Sequence, residues 1–439
     1  MAEIKDIKEK IEIEEVKNDG EEFQFGTLKN LVGIDDKYNE MLYMEDGELV
    51  YTEEKVSKQQ AEWLEEMDIH AKQNIIPIYT GEQFKKIGTG EEIIIEEAGG
   101  EKYKFNMDSH YVLQNDIDLN CSEENQWEPI GTYSSHFGGI LDGKNNKIEG
   151  IYINGGDNKA IFYSNSGTIQ NIILNGYIQG RNYIAGMASI NNENGKIYNC
   201  KNQIEIHLTG NYGGAFVGRN IGLIENCENK GYLDLNASGG GICGQNMSSG
   251  IIKKCINTHE LMLRDHTIGG IVGSNSGIVE ESYNIGNILA PTSYVRYAKG
   301  GIVGINSGTI KNCYNIGEVD AYSNNWDIGG ISGRNETNGS IEFSYNVGNI
   351  QGGINRGGII GNNKGNIKYC YTINTNEMSG GNTGIMENCM KLTESQMQNK
   401  SNINLENGET TTFIELLNKE NNAFSLDNEN INKGYPILK

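Results

Sequence analysis

From about residue 186 to residue 371 the chain repeats one phrase, Gly-Gly-Ile-Val-Gly-x-Asn-x-Gly-x-Ile-x-x-Cys-Tyr-Asn-x-Gly-x-Ile/Val, with variations. Aligned on its second glycine, the phrase falls at Gly186, Gly214, Gly241, Gly270, Gly301, Gly330 and Gly358, at intervals of 28, 27, 29, 31, 29 and 28 residues. A nearly fixed period in this range restricts the chain to a solenoid, a propeller or an array. A propeller blade needs roughly 40 residues and four strands, which leaves the solenoid.

The copy at residues 300–319 shows what one repeat builds. Three β-rich runs, GGIVGI, TIKNCY and EVDAY, are separated by Asn-x-Gly. Glycine accepts positive φ, and asparagine tolerates the left-handed region while bonding its own backbone, so these are read as corners. No run inside the repeats has helical period. Proline, at 4 in the whole chain, is nearly absent, as expected where backbone N–H groups are needed for ladders. The expected fold is therefore all-β: a parallel β-helix of about 28 residues per coil, rising about 4.8 Å per coil. It should be right-handed, as crossover connections are.

Stacking turns each position of the phrase into a column. One column is Cys200, Cys227, Cys255, Ser282, Cys313, Ser344 and Cys370. These residues are small and spaced by a full coil rather than by the two to four residues of a zinc knuckle, so they read as buried free thiols. Serine in two coils argues against a required disulfide. Asn220, Asn246, Asn275, Asn306, Asn335 and Asn362 form a second column, and Asn229, Asn257, Asn284, Asn315 and Asn346 a third. Stacked amides can bond along the axis. Ile242, Ile271, Ile302, Ile331 and Ile359 should fill the interior.

Outside the repeats the composition changes. Residues 1–75 read as a small acidic α+β module, with the helix-prone IKDIKEKIEIEEVK and a hairpin-like YMEDGELVYT. Residues 76–160 read as an N-terminal cap and first irregular coils, opened by a short helix at TGEQFKKIG with Thr80 as N-cap. Residues 161–390 carry the coils. Residues 391–439 read as a C-terminal cap, helical at KLTESQMQNK and TTFIELLNKENNAF and ending in a strand at GYPILK, expected to cover the last coil. Net charge is −23, and the first hundred residues hold 26 acidic against 11 basic side chains. Nucleic-acid binding needs a basic footprint, which is missing. No apolar run is long enough to span a membrane, and no secretory signal is read.

The phrase GGIVGxNxGxIxxCYNxGxI resembles the GLUG motif of bacterial surface and secreted proteins. The start YVLQNDIDLN…WEPIGT…FGGILDGKNNKIEGIYI and the tail LLNKENNAFSLDNENINKGYPILK are similar to those of GLUG regions, so the resemblance covers about residues 76–439. It implies a β-helix displayed outside the cell, in adhesin-like proteins or beside the protease module of some immunoglobulin A peptidases. The charged N-terminal helix also resembles the region after the hydrophobic stem of Gram-positive pilin-like surface proteins, although that stem is missing here.

Chemistry is harder to find. None of the six histidines has a partner at helical i+4 spacing, so the zinc site of those peptidases is absent. There is no nucleophile elbow and no phosphate-binding loop. Glu225, Glu280, Glu281, Glu318, Asp320 and Glu342 are candidate carboxylates for glycoside chemistry, but they fall at surface positions of the second and third strands, with Glu225, Glu280 and Glu342 near-equivalent on different coils, and read as a solvated face. Asp116, Asp118 and Asp142 are candidates for a calcium site, against the alternative that the alternating aspartates of DIDL simply face one way from the strand. The variable stretches 261–267, 290–299 and 321–327 lie on consecutive coils and bring Tyr294, Arg296, Tyr297, Tyr322 and Trp326 together. Aromatic residues with arginine suit binding surfaces, unless the rings fold down over the coil.

The expected function is that of a non-catalytic extracellular bacterial surface protein, adhesin-like or structural. It would bind a host or environmental glycan or a surface protein, with no cofactor and no metal. A carbohydrate-active enzyme on the same fold and a pure spacer are the alternatives.

Overall fold

The protein is described by a computed structural model covering residues 75–439 except 237, 264–265, 291–296, 322–326 and 374–376, together with the short strands at 44–45 and 48–49. The chain divides into a smaller unit, residues 1–77 with 109–112, and a larger one, residues 78–108 with 113–439. In the smaller unit Met44–Glu45 pairs antiparallel with Glu48–Leu49, the turn expected from YMEDGELVYT. The helices expected in residues 1–75 lie outside the described residues.

The larger unit, which holds every copy of the repeat, is a parallel β-solenoid of about nine coils, each of about 28 residues. Three long sheets run along it. The first stacks nine strands, from Phe162–Asn165 to Ser379–Asn382, in coil order. Within this unit the second runs from Ile140–Asp142 to Ile385–Glu387, and the third from Ile117–Asp118 to Met390–Lys391. A short fourth sheet of six strands, Gly213–Gly214 to Asn355–Gly357, precedes the first in each coil. Val303 pairs with Val272 in the coil before and Ser332 in the coil after, so each pairing step is one full coil.

Burial follows the period of two. In Lys201–Leu208 the residues Asn202, Ile204, Ile206 and Leu208 point inward while Lys201, Gln203, Glu205 and His207 point out. The expected column Ile242, Ile271, Ile302, Ile331 and Ile359 is fully buried, and Ile197, Ile224, Ile252, Val279, Ile310 and Ile341 form a second one. At about 1.5–3 kcal/mol for each fully buried aliphatic side chain, these columns are what closes the coil. The cysteine column is buried as expected, and all eight cysteines are free thiols.

The asparagines make two continuous amide ladders. In one, each side-chain NH2 donates to the amide oxygen one coil on, from Asn165 through Asn191, Asn220, Asn246, Asn275, Asn306, Asn335 and Asn363 to Asn382, at 2.8–2.9 Å. The other runs from Asn202 through Asn229, Asn257, Asn284 and Asn315 to Asn346, at 2.7–2.9 Å. Low local dielectric makes such fully paired buried chains rigid and specific.

Three readings of the repeat need correction. The ladder residue of its coil is Asn363, not Asn362; Asn335 pairs with Asn363. Gly214 is the first glycine of its coil, paired with Gly240. Ala215 holds the second position, and its carbonyl accepts from Gly186 N–H at 3.0 Å. The strand continues the same register, with Val217 opposite Cys243 and Asn220 opposite Asn246, so no residue is inserted and Ala215 stands where the next coil has Gly241. Finally, the left-handed corner is not at the asparagine of Asn-x-Gly. It is the residue before the cysteine column: Asn171, Asn199, Asn226, Lys254, Glu281, Asn312, Phe343, Tyr369 and Asn388, with φ of 45–55°. The Asn-x-Gly asparagine instead closes a side-chain turn, as Asn306 does by donating to Gly308 O at 3.1 Å. A Cβ on Gly308 would strike Gly277 O of the preceding coil, which explains that glycine by close approach.

Both ends are specialised. The helix Gly81–Phe84 has Thr80 as N-cap, accepting from Gln83 N–H in a capping box. Its Phe84 packs 5.9 Å from Trp127 and 6.5 Å from Phe162, which plugs the first coil. At the other end the helices Glu394–Met397 and Phe413–Leu417 and the strand Ile437–Leu438 form as expected. They do not lie over the last coil. They pack on the flank, where Met397, Phe413, Leu416, Leu417, Phe424 and Tyr435 bury Tyr314, Tyr345 and Tyr371 of the third sheet. Ile385 in the last coil is left 56% exposed. The physical reason is the tyrosine column: Tyr283, Tyr314 and Tyr345 stack at 4.5 and 5.0 Å, an apolar wall larger than the rim of one coil. Among the described residues no helix is long and apolar enough to cross a membrane.

Candidate functional site

On its earlier coils the outward side chains of the same third sheet stay half-buried or exposed among the described residues. Three successive strands of it, Lys147–Asn154, Ile173–Gly180 and Lys201–Leu208, are unbroken over eight residues. From the next coil onward Gly231 replaces the residue equivalent to Ile204, and the strand splits into Glu228–Asn229 and Leu233–Leu235. The long strands set alternate side chains outward over a broad area.

Five rings line up there along the axis, one per coil. Tyr152 and Tyr177 are stacked at 5.4 Å with planes 23° apart. Tyr177 and His207 follow at 5.4 Å and 38°, His207 and Tyr232 at 6.0 Å and 61°, and Tyr232 and His259 at 6.0 Å and 77°. Each ring is half-buried. The rising tilt turns ring faces off the axis at the His207–His259 end, whereas the Tyr152–Tyr177 pair offers edges and hydroxyls.

Polar groups flank the stripe. His207 Nε2 lies 2.6 Å from Glu205 Oε1, and its Nδ1 lies 3.6 Å from Asp234 Oδ2. The Tyr177 hydroxyl donates to Gln179 Oε1 at 2.7 Å. Burial, followed by the neighbouring Tyr152 and the Glu205 carboxylate, pushes the Tyr177 phenol up, so it stays a neutral donor. Two of the nearby lysines are paired with acids: Lys147 lies 3.5 Å from Glu149 and Lys230 lies 3.1 Å from Glu228. The result is a groove-free strip of apolar rings with carboxylate and amide acceptors beside them. Such a strip fits a hydroxyl-rich ligand and disfavours a polyanion.

The loop cluster expected from the sequence is placed only in part. Tyr294, Arg296, Tyr322 and Trp326 lie outside the described residues. Tyr297 is half-buried, with its ring edge-on to His266 at 4.2 Å, packed down against the preceding coil. The stripe was missed because its rings come from three different offsets within the coil; only the pairing register shows that they are neighbours.

The candidate acids also find their places. Glu225, Lys253, Glu280, Lys311, Glu342, Lys368 and Glu387 are successive partners across the second sheet. Charge therefore alternates coil by coil, with Lys253 and Glu280 3.1 Å apart. Glu281 is a left-handed corner residue facing Lys254 at 3.7 Å. Glu318 accepts from Asn349 and Gln351 at 3.1 and 2.6 Å. Asp116 accepts from Lys147 N–H at 2.7 Å and Asp118 from Asn120 N–H at 2.8 Å. Asp142 is buried and accepts from Lys144 N–H, Asn171 and Gln170 at 2.8, 3.0 and 2.7 Å. Asp118 and Asp142 close local turns, and Asp116 and Asp142 also tie residues distant in sequence. Among the described residues no group of three or more His, Cys, Asp or Glu side chains is placed to hold a metal ion.

Fold and site together define a parallel β-solenoid with a flank-bound C-terminal clamp and a half-buried aromatic face. No family model and no curated protein sequence matches the chain. Among solved structures, a candidate immunoglobulin A1 protease from Bacteroides ovatus aligns over 83% of this chain and 91% of its own, at 15% identity and a TM-score of 0.43. At that level the likeness carries no argument about activity.

Proposed function

We propose that this protein is a non-catalytic, GLUG-type surface module of a bacterium, and that it holds a neutral, hydroxyl-rich glycan along the flank of its solenoid. The observation that carries the reading is the ring stripe Tyr152–Tyr177–His207–Tyr232–His259 with Glu205, Gln179 and Asp234 beside it. Further along the same sheet, the tyrosine column already binds a segment of this chain, so the face is suited to docking. Rigid rings contribute contact area at low entropic cost, and adjacent acceptors orient hydroxyls.

The test is a glycan array on the full chain, with turnover of any bound oligosaccharide followed by mass spectrometry. Binding without product, lost in Tyr177→Ala and Tyr232→Ala, is expected. Binding that survives both substitutions would refute the stripe as the site. The Glu205–His207–Asp234 cluster favours one second reading, a carbohydrate-active enzyme, and product formation abolished by Glu205→Gln would establish it. Retention of a protein with no glycan bound would instead point to a surface protein as partner.

A further inference from the structure

The eight thiols are not equivalent. Cys200, Cys227, Cys255, Cys313 and Cys370 are closed off inside the column, and Cys243 is buried beside it. Cys389 ends the column in the last coil, where no further coil covers it among the described residues, and it is half-buried. Its S–H donates to Glu387 O at 3.3 Å and faces Ile367 O at 3.8 Å, the carbonyl wall of the coil beneath.

Cys370 stands directly below. Tyr371 and Met390 are in-register parallel partners, and Cys370 and Cys389 precede them by one residue. Each cysteine follows a left-handed corner, Tyr369 or Asn388, both at φ 52°, so their side chains leave the corner in the same direction. In-register neighbours lie about 4.8 Å apart, inside the roughly 4.4–6.8 Å Cα range that a disulfide spans.

We propose that Cys389 and Cys370 form a redox-responsive thiol pair that reacts with low-molecular-weight disulfides and locks the open end of the solenoid. The Cys389 thiolate attacks the disulfide reagent; the reagent's S–S bond breaks, one thiol leaves with a proton, and a mixed disulfide remains on Cys389. Cys370 then loses its proton and attacks Cys389 Sγ, releasing the second thiol. The two cysteines are oxidised by two electrons and the reagent is reduced to two thiols.

The electrostatics agree with these roles. Interaction with the neighbouring Cys370 thiol, ahead of the opposing effect of burial, holds Cys389 below the ordinary thiol value. Burial pushes Cys370 well above it. Cys121, the other half-buried thiol, is raised by burial. The attacking thiol is thus the half-buried one at the end of the column, and the resolving thiol is reached only from within.

The experiment uses the reduced full chain, incubated with oxidised glutathione, quenched with N-ethylmaleimide and mapped by mass spectrometry. A Cys370–Cys389 disulfide should form ahead of any modification at Cys121, and amide exchange across 379–391 should slow at least several-fold on oxidation. Cys370→Ser should accumulate glutathione on Cys389, and Cys389→Ser, a change in the exposed last coil, should show neither product. Faster reaction at Cys121, or a wild-type protein that keeps glutathione on Cys389 beside a free Cys370, would overturn the proposal.

Discussion

Replacing Asn275 with alanine tests the load carried by the amide ladder. Asn275 accepts from Asn246 at 2.8 Å and from Gly277 N–H at 3.2 Å, and it donates to Asn306 at 2.8 Å and to Gly277 O at 3.2 Å. Its side chain is 1% exposed, so water does not take over these bonds. Alanine strands the Gly277 N–H, at about 1–3 kcal/mol, and removes two ladder bonds worth about 1 kcal/mol each. The expected loss is about 3–5 kcal/mol. Asn382 is the terminal member, exposed, accepting from Asn363 at 2.9 Å; its alanine variant should lose under about 1 kcal/mol. Urea unfolding followed by circular dichroism measures both. Asn275→Leu, which keeps the volume, should cost at least as much as alanine if hydrogen bonds rather than a cavity are the cause. Equal losses at Asn275 and Asn382, or a leucine variant that restores stability, would refute the ladder argument.

Lys299 is fully buried, and burial brings its pKa from 10.5 down to about 7 against a weaker opposing pull from Asp320. The unfolded chain binds this proton below about pH 10.5 and the folded one only below about pH 7, so Lys299 costs nothing above that window and increasingly more as pH falls through it, to about 5 kcal/mol. Lys299→Met should therefore gain on wild type from pH 10 to pH 7; a pH-independent difference in denaturant midpoint would contradict this. Phe413 is buried, edge-on to Tyr345 and Tyr371 at 5.5 and 5.3 Å, and Phe413→Ala should cost the clamp about 3–5 kcal/mol. Limited proteolysis should then release residues 392–439 while the coil signal persists, because solenoid stability is summed from neighbouring coils; simultaneous loss of both would argue against a separable clamp. Lys311→Glu sets three carboxylates in a row with Glu280 and Glu342 and should destabilise by about 1 kcal/mol at low salt. Added salt should shrink that loss, and a salt-independent loss would deny the alternating charges a role.

Much of this architecture is legible in a single repeat because the coil is local. Thirty residues contain the inward aliphatic positions, the Asn-x-Gly turns and the cysteine, and stacking copies them. The same locality explains the errors. Aligning on glycines misplaced Ala215, because backbone pairing and the asparagine ladder set register and glycine only permits it. Asn363 was missed because Asn362 beside it is the same residue type, and only burial distinguishes the member facing in. The alternating Glu225–Lys253–Glu280–Lys311–Glu342–Lys368–Glu387 row was present in the sequence, but comparing acids alone concealed the lysines between them.

The repeat by itself determined the fold class, the period, the free buried thiols and the amide ladders, since each follows from steric and hydrogen-bond rules that act within a coil or between adjacent ones. The cap at Thr80 was equally local. Among the described residues, tertiary structure alone decided which face is open. Tyr152, Tyr177, His207, Tyr232 and His259 become a stripe only when five coils stack in register. The C-terminal segment takes the flank because the stacked tyrosines offer it more apolar surface than the end of one coil does. That choice leaves Cys389 at an uncovered end, and no pattern along the chain records it.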